Sequence, residues 1–256
     1  MSAADSLLRV PAAREAAYWW HLYRRTWRGT IVISVANPLL FVVAMGFGLG
    51  QLVDARDSTY LQGSYLGFVA PGLLAASAMQ LGFINSAGPV FQSARVGGNY
   101  RAAVTTPMEP TDVLTGHLLF NAFRLLTASI GILVVLVGFG ATELKDAPGS
   151  LLAAVLTGLA FAAPVAAFAI TVERPAKLSA LFRFVIMPLY MFSGTFFPAE
   201  QLPDWLERLV WVSPLWHGTE LCRGSGSTAI HLLVLLTLIA VGYLAARRTY
   251  TRRLTA

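Results

Sequence analysis

A single cysteine, Cys222, stands in a chain of 256 residues, so the chain closes no disulfide within itself and offers no cysteine cluster to a metal. Lysine is nearly as scarce, with only Lys145 and Lys177. Neither follows a glycine, which excludes the Gly-x-x-x-x-Gly-Lys-Ser/Thr loop that cradles nucleotide phosphates. Any ATP-driven step must therefore come from another polypeptide. Charge of either sign is also thin: Asp, Glu, Lys and Arg make up 12% of the residues, against about 25% in an ordinary soluble domain. So little polar surface cannot cover a globule of this length. No Gly-x-Ser-x-Gly elbow is present, and acyl-transfer chemistry has no support. The N-terminus has no short apolar core with a small-residue cleavage site, so no removable signal peptide is expected.

What the chain has in quantity is apolar length. Hydrophobic residues account for 56%, and the mean hydropathy is +0.62. A helix needs about 20 apolar residues to cross the hydrocarbon core, and six stretches meet or approach that: 30–50, 65–92, 113–139, 150–172, 181–197 and 227–246. The expected architecture is all-α, integral to a membrane, with six transmembrane helices. Prolines within the spans are tolerated where neighbouring helices or water satisfy the freed carbonyls. The glycines of "GFGLG" (Gly46, Gly48, Gly50) suit close helix packing.

The net charge of +6 does not point to nucleic acid, because the basic residues cluster between the apolar runs. Fourteen of the 19 Lys and Arg residues fall in the N-terminal segment, the second and fourth connections and the tail. They are Arg9, Arg14, Arg24, Arg25, Arg28, Arg95, Arg101, Arg174, Lys177, Arg183, Arg247, Arg248, Arg252 and Arg253. The opposite side holds Arg56, Lys145, Arg208 and Arg223. The positive-inside rule then places both termini in the cytoplasm, as an even number of spans requires. The domains expected are a cytoplasmic amphipathic interface helix over 1–29, a six-span domain over 30–246 and a basic cytoplasmic tail over 247–256.

Four connecting pieces carry potential chemistry. In the interface helix, Ala13, Ala16, Trp20, Tyr23 and Trp27 fall on one face at helical spacing, and Arg14, His21, Arg25 and Arg28 on another. Aromatic and arginine residues so placed favour the headgroup zone and anionic lipid. Such a helix serves as a simple anchor or also touches a cytoplasmic partner. Between the second and third spans, "NYRAAV" after Gly97 and Gly98 forms a short helix that Thr105, Thr106 and Pro107 end. Pro110 or Thr111 then opens the third span. On the outer side, Leu202, Trp205, Leu206, Leu209 and Val210 share a helical face, with Asp204 and Arg208 an i,i+4 pair. Pro214 divides this helix from a second, in which His217 and Glu220 stand three apart. Both pieces are too short to cross and form a re-entrant outer cap. His217 and Glu220 alone do not make a closed zinc site, and a local hydrogen-bonded pair is the simpler expectation.

Inside the spans, Arg124 is the one well-embedded charge. An ionisable residue there lines a pathway or snorkels to the nearer surface. Asn85 and Asn121 are milder polar insertions that act as packing glue or line a pathway.

The outer stretch "MPLYMFSGTFFPAEQLPDWLERLVWVSPLWHGTELCRG" resembles the segment between the last two spans of type-2 ABC exporter permeases. The nodulation lipo-oligosaccharide exporter permeases and the daunorubicin-resistance permeases are the relatives that it resembles. The resemblance rests on "FSGTFFP" at 192–198, "LP-x-W" from Leu202 to Trp205 and "SPL-x-H" from Ser213 to His217. Thr106-Pro107, Asp112 and Gly116 resemble the second cytoplasmic connection of such proteins. Many relatives carry an acidic residue ahead of that Thr-Pro, and residues 93–104 hold none.

The resemblance implies a non-catalytic permease of the bacterial plasma membrane that binds no cofactor itself. ATP and Mg²⁺ would sit on a separate ATP-binding subunit, and a second permease chain, as homodimer or heterodimer, would complete the pathway. Coupling to the ATPase would fall on Asn99, Tyr100, Arg101, Thr106, Pro107 and Glu109, next to the interface helix. Phe196, Phe197, Pro198, Leu202, Trp205, Pro214, His217 and Glu220 would build the outer cap, and Asn85, Asn121 and Arg124 are the pathway candidates. The implied substrate is amphipathic: a lipid, glycolipid, lipid-linked glycan or hydrophobic drug. The other classes consistent with a polytopic chain are a membrane enzyme acting on lipid and an ion-coupled secondary transporter. The first requires an interfacial Asp, His or Ser cluster, and the second requires related halves with paired intramembrane carboxylates.

Overall fold

Helix α1 (Pro11–Val43) opens on a proline, which suits a first turn because the N–H it lacks would have no helical partner there. It runs unbroken through Gly29, so the expected interface segment and first span are one helix of 33 residues, about 50 Å long. Between Pro11 and Pro38 no proline interrupts it, and one internal glycine costs only about 1 kcal/mol. The computed structural model describes residues 10–44, 48 and 64–255. The end of the first expected span, Gly46 and Gly50, and Arg9 and Arg56 lie outside them.

Ser64 caps α2 (Tyr65–Phe91) by accepting from the Gly67 amide at 3.2 Å, and the helix continues as a π-helical turn, Gln92–Val96. Gly98 takes a left-handed φ of 66° and redirects the chain into α3 (Asn99–Val104), a conformation that suits glycine. Helix α4 (Pro110–Gly138) begins on Pro110 with a reciprocal capping box between Glu109 and Asp112. Then follow α5 (Ala147–Ala169), α6 (Ala176–Leu181) and α7 (Met187–Phe192), the last two joined by a π-helical stretch, Phe182–Ile186. Helices α8 (Asp204–Val212), α9 (Pro214–Arg223) and α10 (Thr228–Leu254) complete the order. The described residues contain no strand.

Among the described residues four helices are long and apolar enough to cross a membrane: Tyr65–Val96, Pro110–Gly138, Ala147–Ala169 and Thr228–Leu254. They coincide with the second, third, fourth and sixth expected spans. The stretch expected as the fifth, 181–197, ends its helix at Phe192, because Gly194 adopts a φ of 74° and turns the chain.

Helices α2 and α5 form the centre, with α10 and α4 packed on α5, α1 running along α4, and α9 wedged among α2, α5 and α10. The close crossings lie at Gly82 against the Gly158 backbone and at Gly242 against Pro164, where a methyl group would clash. Small residues drive such contacts where lipid removes the usual hydrophobic incentive. Gly48 of the "GFGLG" cluster has open space around it instead.

Candidate functional site

The N-terminal half of α1 and the start of α4 lie side by side in register. Gly116 lets the helices meet: a Cβ there would collide with the Ala12 carbonyl and the Glu15 side chain. One turn on, the Trp19 ring meets His117 edge-on at 5.0 Å and stacks over Phe120 at 6.2 Å. Further along, the Arg124 guanidinium sits 4.4 Å over the Tyr23 ring. The buried face of α1 is thus Glu15, Trp19 and Tyr23. Trp20 and Trp27, expected beside Tyr23, point outward at 41% and 45% exposure. The reason is steric: the helix rotates to place its closest approach at Gly116, and that rotation buries an acid. The Trp19 indole donates to the Glu15 carboxylate at 2.8 Å, while burial pushes that carboxyl up to about 7. Arg14, His21, Arg25 and Arg28 all lie exposed on the far side.

Helix α3 joins this junction from below. Asn99 Nδ2 donates to the Tyr18 hydroxyl at 2.6 Å. Tyr100 is fully buried, its ring 5.8 Å from that of Tyr250 near the end of α10. Burial raises the Tyr100 phenol well above its usual range. Arg101, Thr106, Pro107 and Glu109 face solvent, with Thr106 Oγ1 bonded to the Ala103 carbonyl at 2.6 Å and Glu109 spent on capping α4. Of the six expected coupling residues, Tyr100 is therefore an internal tie, Asn99 a surface tie to α1, and the other four form an exposed rim. Glu15, Tyr18, Gly116 and Tyr250 share the junction although spacing gave no sign of them, because they are brought together from three helices.

The 193–226 segment is held differently. Ser193 and Thr195 hydrogen-bond to each other at 2.8 Å in a buried turn around Gly194. Phe196 is pinned by Phe41 at 5.4 Å and by Tyr190 at 5.2 Å, and its carbonyl accepts from Tyr65 at 3.3 Å. Phe197, Pro198, Leu202 and Pro214 are half-buried. Trp205 is 67% exposed, and of the expected apolar face of α8 only Val210 is buried. Helix α9 instead lodges inside the bundle, with Gly218 against Thr157.

Expected partners change in this segment. His217 Nδ1 lies 2.8 Å from His231 Nδ1 rather than beside Glu220. Glu220 pairs with Arg223 at 2.8 Å and accepts from Ser225. Among the described residues no Asp204–Arg208 ion pair forms: both side chains are exposed, where water screens the attraction and fixing a long arginine costs entropy. Arg223, which sequence reasoning used only to count charge, is the knot. It donates to the Phe68 carbonyl at 3.1 Å and to the Gly194 carbonyl at 2.8 Å, and its guanidinium lies 3.8 Å over the Phe68 ring. Among the described residues no group of three or more metal-ligating side chains gathers.

Within the bundle, Asn121 Nδ2 donates to Ser86 Oγ at 2.9 Å and approaches His117 Nε2 at 3.4 Å. Asn121 is thus a tie between α2 and α4. Asn85 and Arg124 face a cavity beside α1, described below.

The described residues define an all-helical chain with four helices fit to cross a membrane, a short helix slung beneath one end and a folded-in segment at the other. That chain belongs to the ABC-2 type transporter family, whose model matches residues 16–225. It is similar to nodulation protein J of Rhizobium meliloti (strain 1021), at 30% identity over 225 residues, 84% of each chain. Nodulation protein J of Rhizobium leguminosarum bv. viciae is 27% identical over 251 residues, 92% of this chain and 95% of the relative. The daunorubicin resistance ABC transporter permease protein DrrB1 of Streptomyces coeruleorubidus is 24% identical over 229 residues, 88% of this chain and 78% of the relative. As a member of this family the chain is a membrane transport component and not itself a catalyst, and ATP hydrolysis belongs to a separate subunit.

Proposed function

We propose that this chain is the permease subunit of an ATP-driven exporter that moves an amphipathic molecule out of the cytoplasm or the inner leaflet. It works in the plasma membrane as six spans, with both termini in the cytoplasm. A second permease chain faces it across the pathway, and ATP and Mg²⁺ bind the partner ATPase. The likeness to a permease named for daunorubicin resistance and to nodulation protein J supports an amphipathic cargo.

One observation carries this reading. Helix α3 is tied on one side to α1 through Asn99 and Tyr18 and to α10 through Tyr100 and Tyr250, while Arg101, Thr106 and Pro107 stay exposed on the other. A short helix with a free rim and two mechanical links to long helices is fit to receive a push from a soluble subunit and pass it on. The test is co-purification with a P-loop ATPase followed by transport in proteoliposomes. Transport that requires ATP and that subunit is expected; transport by the chain alone without ATP overturns the reading.

A further inference from the structure

Arg124 is buried, at 6% exposure, yet no carboxylate lies within ion-pair distance of it among the described residues. The three helices around it explain why. Helix α2 contains no acidic residue, α4 only Asp112, which caps its own helix, and α1 only Glu15, which takes the Trp19 indole. A guanidinium held out of water without an anion is costly. It lines a cavity of about 180 Å³ walled by Trp19, Tyr23, Asn85, Pro89, His117 and Phe120, among others.

Two further donors face no partner there. Asn85 Nδ2 is buried and unbonded, and so is His117 Nδ1. The Asn121 amide approaches His117 Nε2 as donor, which leaves the ring proton on Nδ1. One full positive charge, resting against Tyr23, and two neutral donors, with no carboxylate beside them among the described residues, are the complement of a multi-oxygen anion. At about 180 Å³ the cavity is smaller than the 300–1,000 Å³ typical of a pocket for a whole small molecule, so it admits a head group and not a drug.

Its depth identifies the source of the anion. Helices α1 and α4 run in register, so Arg124 lies level with Tyr23, next to the exposed Arg24, Arg25 and Arg28 and between the exposed Trp20 and Trp27. An arginine belt flanked by tryptophans marks the headgroup layer of a bilayer. We infer that the cavity between α1, α2 and α4 binds the phosphate of an anionic phospholipid of the cytoplasmic leaflet. Arg124 supplies the charge, and Asn85 and His117 supply the remaining hydrogen bonds. With no carboxylate in the cavity to receive an ammonium, an anionic head group is favoured over a zwitterionic one. The placement in the cytoplasmic leaflet rests on the orientation proposed above; the phosphate chemistry does not.

The test is native mass spectrometry of the detergent-purified chain, titrated with phosphatidylglycerol and with phosphatidylcholine. The unaltered chain is expected to retain phosphatidylglycerol when phosphatidylcholine is in excess. Arg124→Gln should weaken that retention about tenfold, as the loss of a charge-assisted hydrogen bond implies. Arg124→Lys should keep most of it, and Asn85→Ala should weaken it less. Displacement of phosphatidylglycerol by equal phosphatidylcholine in the unaltered chain overturns the inference even if no variant folds. Equal retention by a well-folded Arg124→Gln variant overturns it too. The readout needs neither ATP nor a partner, so failure of the transport assay and failure of this one are separate results.

Discussion

The junction around Glu15 and the segment around Arg223 both tie distant parts of the chain together, and they are tied by opposite means. At the junction the contact surface is aromatic and close-packed: Trp19 and Tyr23 pack on Phe120, one turn on from the close approach at Gly116, and Tyr100 packs on Tyr250. Its one buried carboxyl has a neutral indole for a partner. The 193–226 segment is held by a charged knot, in which Arg223 reaches Glu220 and two backbone carbonyls at once. Directional charged bonds fix one geometry, whereas ring-on-ring contact over a glycine leaves room for sliding. Under the function proposed above, that difference suits one part to move with a soluble motor and the other to stay shut.

The largest expected effect breaks the rigid end. Arg223→Ala leaves Glu220 and two carbonyls without their cation and should cost about 3–5 kcal/mol. Proteolytic sensitivity of 193–226 and the thermal unfolding temperature both report it. Next, Gly116→Val drives a branched side chain into Ala12 and Glu15 and should cost about 1–3 kcal/mol. Amide exchange should rise over 11–29 and stay unchanged over 193–226. If both regions loosen together, the two ties are not independent and the contrast fails.

A pH series sharpens the comparison. The folded chain holds the Glu15 proton up to about 7, while the unfolded chain loses it near 4.5. Between those values the folded state binds more protons, so stability falls as pH rises through the window. The full penalty stands above it, on the order of 3 kcal/mol. Exchange protection of 11–29 should therefore decline from pH 4.5 to 7, and Glu15→Gln should flatten the curve. The smallest expected effect is Trp205→Ala. Its side chain is 67% exposed, and folding should change by no more than about 0.5 kcal/mol, measured by the same thermal scan.

Much of this was legible in local sequence. Pro110 with Glu109 and Asp112, Thr106-Pro107, and Pro214 after Ser213 each mark a helix end by rules that act within four residues. Four of the apolar runs became helices long enough to cross, because composition over 20 residues decides that property. Other features needed the packed helices. Glu15 is buried because Gly116, about a hundred positions away, sets the rotation of α1. Arg223 is a knot because Phe68 and Gly194 present carbonyls to it. Tyr250 looked like part of a basic tail until Tyr100 was placed against it. The apolar run over 181–197 concealed the glycine turn that ends α7, since hydropathy is blind to a positive φ.

The claim that α3 receives the motor's push is tested most directly at Arg101, which is exposed on the rim and makes no part of the fold's interior. ATP hydrolysis and transport should be measured together in proteoliposomes holding the partner ATPase and either the unaltered chain or Arg101→Glu. The result expected is normal membrane insertion with transport per ATP reduced at least tenfold, or with the ATPase detached. Full ATP-coupled transport by Arg101→Glu contradicts the placement of the contact on this helix.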